Sequence, residues 1–146
     1  MAYSGRYKVK NPSKYKGDFQ NVKYRSLWER QAFKWLDLNP SIIKWSSEEV
    51  VVPYKCKTDG KMHRYFVDLY VETIQGEYLI EIKPEKETKE PKRRSRKSQK
   101  YLKEVMTYVK NQSKWEAAGR YAQNRGMKFE VWTENTLKAM GIKLLT

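Results

Sequence analysis

Cysteine and histidine are almost missing: Cys56 and His63 are the only ones in 146 residues. A lone cysteine excludes an internal disulfide and suits a reducing compartment. One Cys and one His cannot build a zinc-ribbon or zinc-finger site. A catalytic metal would therefore be held by oxygen, which points to Mg²⁺ or Mn²⁺. Long apolar runs are missing too. No stretch approaches the roughly 20 apolar residues that span a bilayer, and MAYSGRYKVK lacks the apolar stretch of a signal peptide. No basic amphipathic helix with a bulky apolar face stands out, so no membrane role is expected. The chain has no glycine-rich phosphate loop, so P-loop nucleotide hydrolysis is unsupported. Acidic residues are scarce: Asp+Glu 17 against Lys+Arg 31 leaves a formal charge of +14. A polyphosphate backbone is the commonest match for such a surface, which makes DNA the expected partner. An RNA partner is a rival that composition does not separate.

Residues 1–24 place Arg6, Lys8, Lys10, Lys14, Lys16 and Lys23 among Tyr3, Tyr7, Tyr15 and Tyr24. No period is visible there, and the segment reads as a basic, tyrosine-rich arm with little regular structure. Its tyrosines are suited either to stacking on bases or to packing on a sheet edge. The rest, 25–146, reads as one domain, a length that fits a single core.

Arg25–Leu38 reads as a helix, because Ser26-Leu-Trp-Glu29 matches a capping box and Asn39-Pro40 ends it. Ile42–Trp45 and Glu49–Tyr54 are strand candidates, with a turn at Thr58-Asp59-Gly60-Lys61. His63–Glu72 and Glu77–Lys83 are β-branched and aromatic and read as a hairpin turning near Gln75-Gly76. Pro84–Lys97 is a charged loop. Ser98 to about Arg125 is helical, loosened around Asn111-Gln112-Ser113, with Gly126 closing it. Met127–Trp132 is a further strand and Glu134–Met140 a short helix. Helix, antiparallel strands, helix, strand, helix is an α+β (mixed α/β) order, with helices packed on a sheet. Trp28, Trp35, Trp45, Trp115 and Trp132 lie within these elements and read as core. His63 reads as a turn-flanking residue. The basic neighbours Lys55 and Lys57 would lower the Cys56 pKa.

The hairpin carries the chemistry. With a two-residue period, Tyr65, Val67, Leu69 and Val71 form one apolar face, and Tyr78, Ile80 and Ile82 form its counterpart. Asp68 points the other way, as do Glu81 and Lys83. A turn centred on Ile74 and Gln75 sets Asp68 opposite Glu81; one centred on Gln75 and Gly76 sets it opposite Lys83. In either register two carboxylates and a lysine share one patch. Paired carboxylates repel, and a divalent cation relieves that cost. Such a cation polarises a phosphoryl oxygen and acidifies water, while a lysine beside it orients that water or stabilises transition-state charge. The alternative is an exposed cross-strand salt bridge, which is worth little. Glu29 sits in an apolar helix stripe with Ala32, Phe33 and Leu36. It is there either as a third acid beside Asp68 or as the reciprocal half of the capping box.

Tyr24-Arg-Ser-Leu-Trp-Glu29, Phe66-Val-Asp68 and Leu79-Ile-Glu81-Ile-Lys83 together resemble the restriction-endonuclease-like PD-(D/E)xK superfamily. Within it the chain is most similar to the TnsA-type transposase endonucleases and the head completion nucleases of T-even tailed phages. The second match covers most of the chain. Val67 stands where the motif often has proline, a position without chemistry. The resemblance implies a restriction-endonuclease-like fold, a mixed central sheet flanked by helices. It implies Glu29, Asp68 and Glu81 as metal-site acids and Lys83 as the catalytic lysine of a metal-dependent DNA endonuclease. It also implies action on packaged DNA ends late in phage head completion. That places the protein in the host cytoplasm and the virion head, with portal or other head and neck proteins as partners. The rival reading is a structural, non-enzymatic DNA-binding head or neck protein that keeps the fold.

For DNA contact the expected residues on the 84–97 loop are Lys86, Lys89, Lys92, Arg93, Arg94, Arg96 and Lys97. Lys100 follows on the next helix, and Arg6, Lys8 and Lys10 lie on the N-terminal arm. Contacts of this kind grip backbone phosphates with strong salt dependence and little base specificity.

Overall fold

The computed structural model describes residues 3–92 and 98–144. Helix α1, Leu27–Leu38, begins where Ser26 accepts the Glu29 N–H at 3.2 Å. The Glu29 carboxylate reaches back to the Arg25 N–H at 3.2 Å, one residue beyond the N-cap backbone that a capping box uses. Ala32, Phe33 and Leu36 are buried on the helix's inner face.

Four strands form the central sheet: β3 (Ile42–Ser47), β6 (Leu69–Thr73), β7 (Gly76–Ile82) and β8 (Lys128–Trp132), in the order β3-β6-β7-β8. β7 and β8 run parallel and the other pairs antiparallel, so the sheet is mixed as expected. A separate hairpin joins β4 (Val51–Lys55) to β5 (Met62–Phe66). The long helix α2, Gln99–Asn124, makes the crossover from β7 to β8, and α3, Glu134–Ala139, closes the described fold. α+β layers of this kind fit the restriction-endonuclease-like arrangement. No helix among the described residues is long and apolar enough to cross a membrane.

The core lies on both faces of the sheet. On one side Phe33, Leu36, Trp45, Leu69, Val71, Ile80 and Leu137 pack together. On the other Val52, Tyr54, Tyr65, Val67, Tyr70, Leu79, Ala118 and Ala122 do so. Trp45 and Trp132 are buried, while Trp28, Trp35 and Trp115 are partly buried against these clusters.

Three expectations change. The run His63–Glu72 is two strands that break at Val67-Asp68, because β5 pairs with β4 while β6 pairs with β3 and β7. The chain changes sheets there, held by Val67 N–H to the Val50 carbonyl (3.0 Å) and Glu48 N–H to the Asp68 carbonyl (3.3 Å). Tyr65 and Val67 consequently pack on the α2 side and Leu69 and Val71 on the α1 side, so the four do not share one apolar face. Alternation within a strand also fails to mark solvent here, since a sheet covered on both faces buries both sets of side chains. Second, α2 runs unbroken through Asn111-Gln112-Ser113. The Ser113 hydroxyl donates to the Val109 carbonyl (3.0 Å) and accepts the Lys57 N–H (3.3 Å), so this polar stretch is satisfied without loosening the helix. Gly126 follows in the left-handed conformation (φ 72°), and the Met127 N–H returns to the Ala122 carbonyl at 2.8 Å. Third, the buried Cys56 thiol is pulled down in pKa chiefly by its 3.0 Å contact with the Thr58 hydroxyl, not by Lys55 and Lys57.

The N-terminal segment carries little regular structure: a two-residue pairing of β1 (Gly5–Arg6) with β2 (Lys23–Tyr24) and two single 3-10 turns. It nevertheless packs into the core. Val9, Tyr15 and Val22 are buried, and Tyr7 and Tyr15 meet Trp45 edge-on. Asp37, at the end of α1, is fully buried and ties the segment down by accepting from the Tyr7 hydroxyl (2.8 Å), Lys10 N–H (2.7 Å) and Asn11 N–H (3.1 Å).

Candidate active site

The β6–β7 turn falls on Ile74 and Gln75, pairing Thr73 with Gly76 and Leu69 with Ile80. Continued one step, that register sets Asp68 against Glu81. Asp68 lies at the bend where the chain leaves β5 for β6, and Oδ2 accepts the Ile82 N–H at 2.8 Å. Its carboxyl is pushed well above the usual carboxylate range, first by burial, then by the charge of Glu81, with Glu29 adding to it. The Ile82 N–H and Lys83 oppose that shift.

Glu81 is 7% exposed on the α2 side of β7. The buried Tyr65 hydroxyl donates to its Oε2, and Lys83 Nζ lies 4.0 Å from its Oε1. Burial raises its pKa; Tyr65, Lys83 and Lys114 work the other way, and Glu48 adds to the rise. The Tyr65 phenol is held protonated by burial and by Glu81. Lys83 is anchored through its backbone, whose N–H donates to the Trp132 carbonyl at 3.0 Å. Glu29 is partly buried and its pKa is also raised, by burial first, with the Arg25 N–H opposing.

The fold thus places Asp68, Glu81 and Lys83 together and lays Glu29 within their electrostatic reach. Glu29 bonds the Arg25 N–H and not the Ser26 backbone that a reciprocal capping box would use, and its charge adds to the field at Asp68. Among the described residues, no three His, Cys, Asp or Glu side chains stand close enough to hold one ion in common.

The basic residues expected at DNA lie on several elements. Lys86 lies within the 3-10 turn Glu85–Thr88 and Lys89 caps it, with Lys89 Nζ 3.7 Å from Glu85. Lys92 and Lys100 are exposed, as are Arg6, Lys8 and Lys10. Arg93, Arg94, Arg96 and Lys97 lie outside the described residues. Arg6 lines a groove with Ser4, Gly5, Lys23, Tyr24 and Arg25. The Arg25 N–H contact with Glu29 brings that groove to the edge of the acidic patch.

Sequence reasoning missed Glu48, Lys114 and the hydroxyl role of Tyr65. Glu48 is the one non-glycine residue with positive φ (56°) among those described, and its carboxylate meets Arg25 at 2.6 Å. It adds negative charge at both Glu29 and Glu81. Nothing in Ser46-Ser47-Glu48-Glu49 distinguishes it from ordinary turn acids. Tyr65 signalled only an apolar strand position, and Lys114 only a charged helix.

Residues 39–134 match the TnsA-like endonuclease N-terminal domain. That segment contains Asp68, Glu81 and Lys83; Glu29 precedes it. The chain belongs to the TnsA-like endonuclease family. It is also 45% identical to the head completion nuclease of Enterobacteria phage T4, over 98% of this chain and 99% of that protein.

Proposed function

We propose that this protein is a metal-dependent DNA endonuclease that acts on packaged DNA ends as phage heads are completed, at a site built from Asp68, Glu81, Glu29 and Lys83. The observation that carries this is the state of Asp68: crowded by Glu81 and Glu29, raised in proton affinity, and satisfied by one backbone N–H. Its Oδ1 accepts no hydrogen bond among the described residues. The donor chemistry fits a hard divalent cation, since every candidate ligand is a carboxylate oxygen and the crowding is what such an ion relieves. Mg²⁺ or Mn²⁺ is the expected ion, with Asp68 and Glu81 as its principal ligands. Glu29 would complete the set once the side chains gather around the ion.

When bound, the cation supplies Lewis acidity toward a phosphoryl oxygen and lowers the pKa of water. The chain's own groups do the rest. Tyr65 fixes the Glu81 carboxylate by its hydroxyl, leaving Oε1 toward Lys83. Lys83 orients the attacking water or takes up charge on the phosphate as it develops. DNA is gripped through its phosphates by Arg6, Lys8 and Lys10, by the Arg6–Arg25 groove, and by the lysines and arginines of 86–100. Contact with portal or other head and neck proteins would bring the enzyme to the DNA end.

The absence of a ready three-ligand cluster among the described residues favours a second reading, a DNA-binding head protein without catalysis. Cleavage of supercoiled and linear DNA with Mg²⁺, Mn²⁺ or EDTA separates the two. Cation-dependent cutting that falls about a thousandfold or more in Asp68→Ala and Lys83→Ala, with DNA binding kept, is the expected result; a loss of that size corresponds to about 4 kcal/mol of transition-state stabilisation. Equal, cation-independent binding by all three proteins with no cutting would establish the structural reading.

A further inference from the structure

Lys114 sits on α2, which covers the sheet face that carries Glu81. It is partly buried, and its ammonium lies 5.5 Å from the centre of the Tyr65 ring, the ring whose hydroxyl donates to Glu81. The charges acting on Lys114 are those of the site: Glu81 and Asp68 attract it, while Lys83 and Lys110 repel it. Yet Nζ makes no hydrogen bond and no ion pair within 4 Å among the described residues. Its donors are therefore open to solvent or to a ligand. This ammonium stands over the Tyr65 ring, beside a patch where Tyr65 bonds Glu81 and the Ile82 N–H bonds one oxygen of Asp68.

We infer that Lys114 is a second lysine of the active site, which binds a non-bridging oxygen of the DNA phosphate while Lys83 serves the opposite side of Glu81. The inference rests on the nuclease reading for its catalytic consequence, but its ligand is the phosphate itself. A lysine on the helix and a lysine on the strand would place positive charge on two sides of the phosphate, which fixes its position and takes up charge in the transition state. The Tyr65 ring sets the direction of the Lys114 side chain through its face.

The test compares wild type, Lys114→Gln and Lys114→Arg. Gln keeps part of the aliphatic contact with Tyr65 and removes the charge; Arg keeps the charge. Unchanged melting temperatures establish that the variants fold. Two readouts are taken: the rate of metal-dependent cleavage, and the affinity for a short duplex in EDTA across a salt series. Lys114→Gln is expected to cut on the order of a hundredfold more slowly and to lower the slope of log affinity against log salt by about one. Lys114→Arg should keep the wild-type slope. If Lys114→Gln keeps both the slope and the rate of wild type, Lys114 does not touch phosphate and the inference is overturned. If wild type cuts nothing under any cation, the nuclease reading fails by itself, and the salt slope still decides whether Lys114 holds phosphate.

Discussion

Asp37 is fully buried and Asp68 partly so, and the two aspartates stand in opposite conditions. Asp37 ends α1 fully buried, with both carboxylate oxygens occupied by the Tyr7 hydroxyl and the Lys10 and Asn11 N–H groups. Its main-chain carbonyl takes two more donors, Asn11 Nδ2 at 2.8 Å and Lys14 Nζ at 3.0 Å. Lys14 also reaches the carbonyls of Leu36 and Asn39, the exposed end of the helix ladder. Asp68 has one N–H donor and two acidic neighbours. A carboxylate whose lone pairs are filled by the fold is a structural joint. One left short of donors and crowded by like charge is costly to the fold and is retained where a ligand compensates.

The comparison predicts a division of labour between the two sites. Removing Asp37 should mainly damage stability. Asp37→Ala orphans the Tyr7 hydroxyl and two N–H groups inside the fold, for an expected loss of about 3–5 kcal/mol by chemical denaturation. Cleavage per folded molecule should remain. A variant that unfolds at the wild-type denaturant midpoint would show that the N-terminal segment is held by something else.

Removing charge at Asp68 should do the reverse. The folded state binds the Asp68 proton more tightly than the unfolded chain does, so ionisation works against the fold. The stability this group contributes is full below the ordinary carboxylate range and is lost as pH rises through the raised folded value. Asp68→Asn, whose side-chain oxygen can still accept the Ile82 N–H, should therefore melt higher than wild type at neutral pH in EDTA. Each kcal/mol relieved is worth roughly 2–4 °C in a protein of this size. The gap should close as pH falls below the carboxylate range. A variant that melts lower than wild type at neutral pH would mean that the Asp68 carboxylate is fully satisfied in the fold.

The sequence made part of this legible. The hairpin register followed from a period of two and a turn with only two workable centres, and one of those two, Ile74 and Gln75, is found. The start of α1 followed from Ser26, whose hydroxyl does take the Glu29 N–H. These are local signals. The break at Val67-Asp68 was hidden because β5 and β6 are equally β-branched and aromatic, and only their partners, β4 on one hand and β3 and β7 on the other, set them apart. Glu48, with its left-handed backbone, stands at the same change of sheets, where its N–H bonds the Asp68 carbonyl. Tyr65 reaches Glu81 from β5, and Lys114 of α2 stands over the Tyr65 ring, both from elements other than the strand that carries Glu81. Nothing in Leu36-Asp37-Leu38 marks Asp37 as a joint, because its partners lie in residues 7–14, far away along the chain.

The most direct measurement is the melting temperature of wild type and Asp68→Asn as Mn²⁺ or Mg²⁺ is raised from zero. An ion that binds only the folded site stabilises it by about 2.7 kcal/mol at a hundred times its Kd. Wild type should climb steadily with the logarithm of cation concentration while Asp68→Asn stays flat. Parallel curves for the two proteins, or no rise in wild type, would contradict the claim that the crowded Asp68 site is completed by a divalent cation.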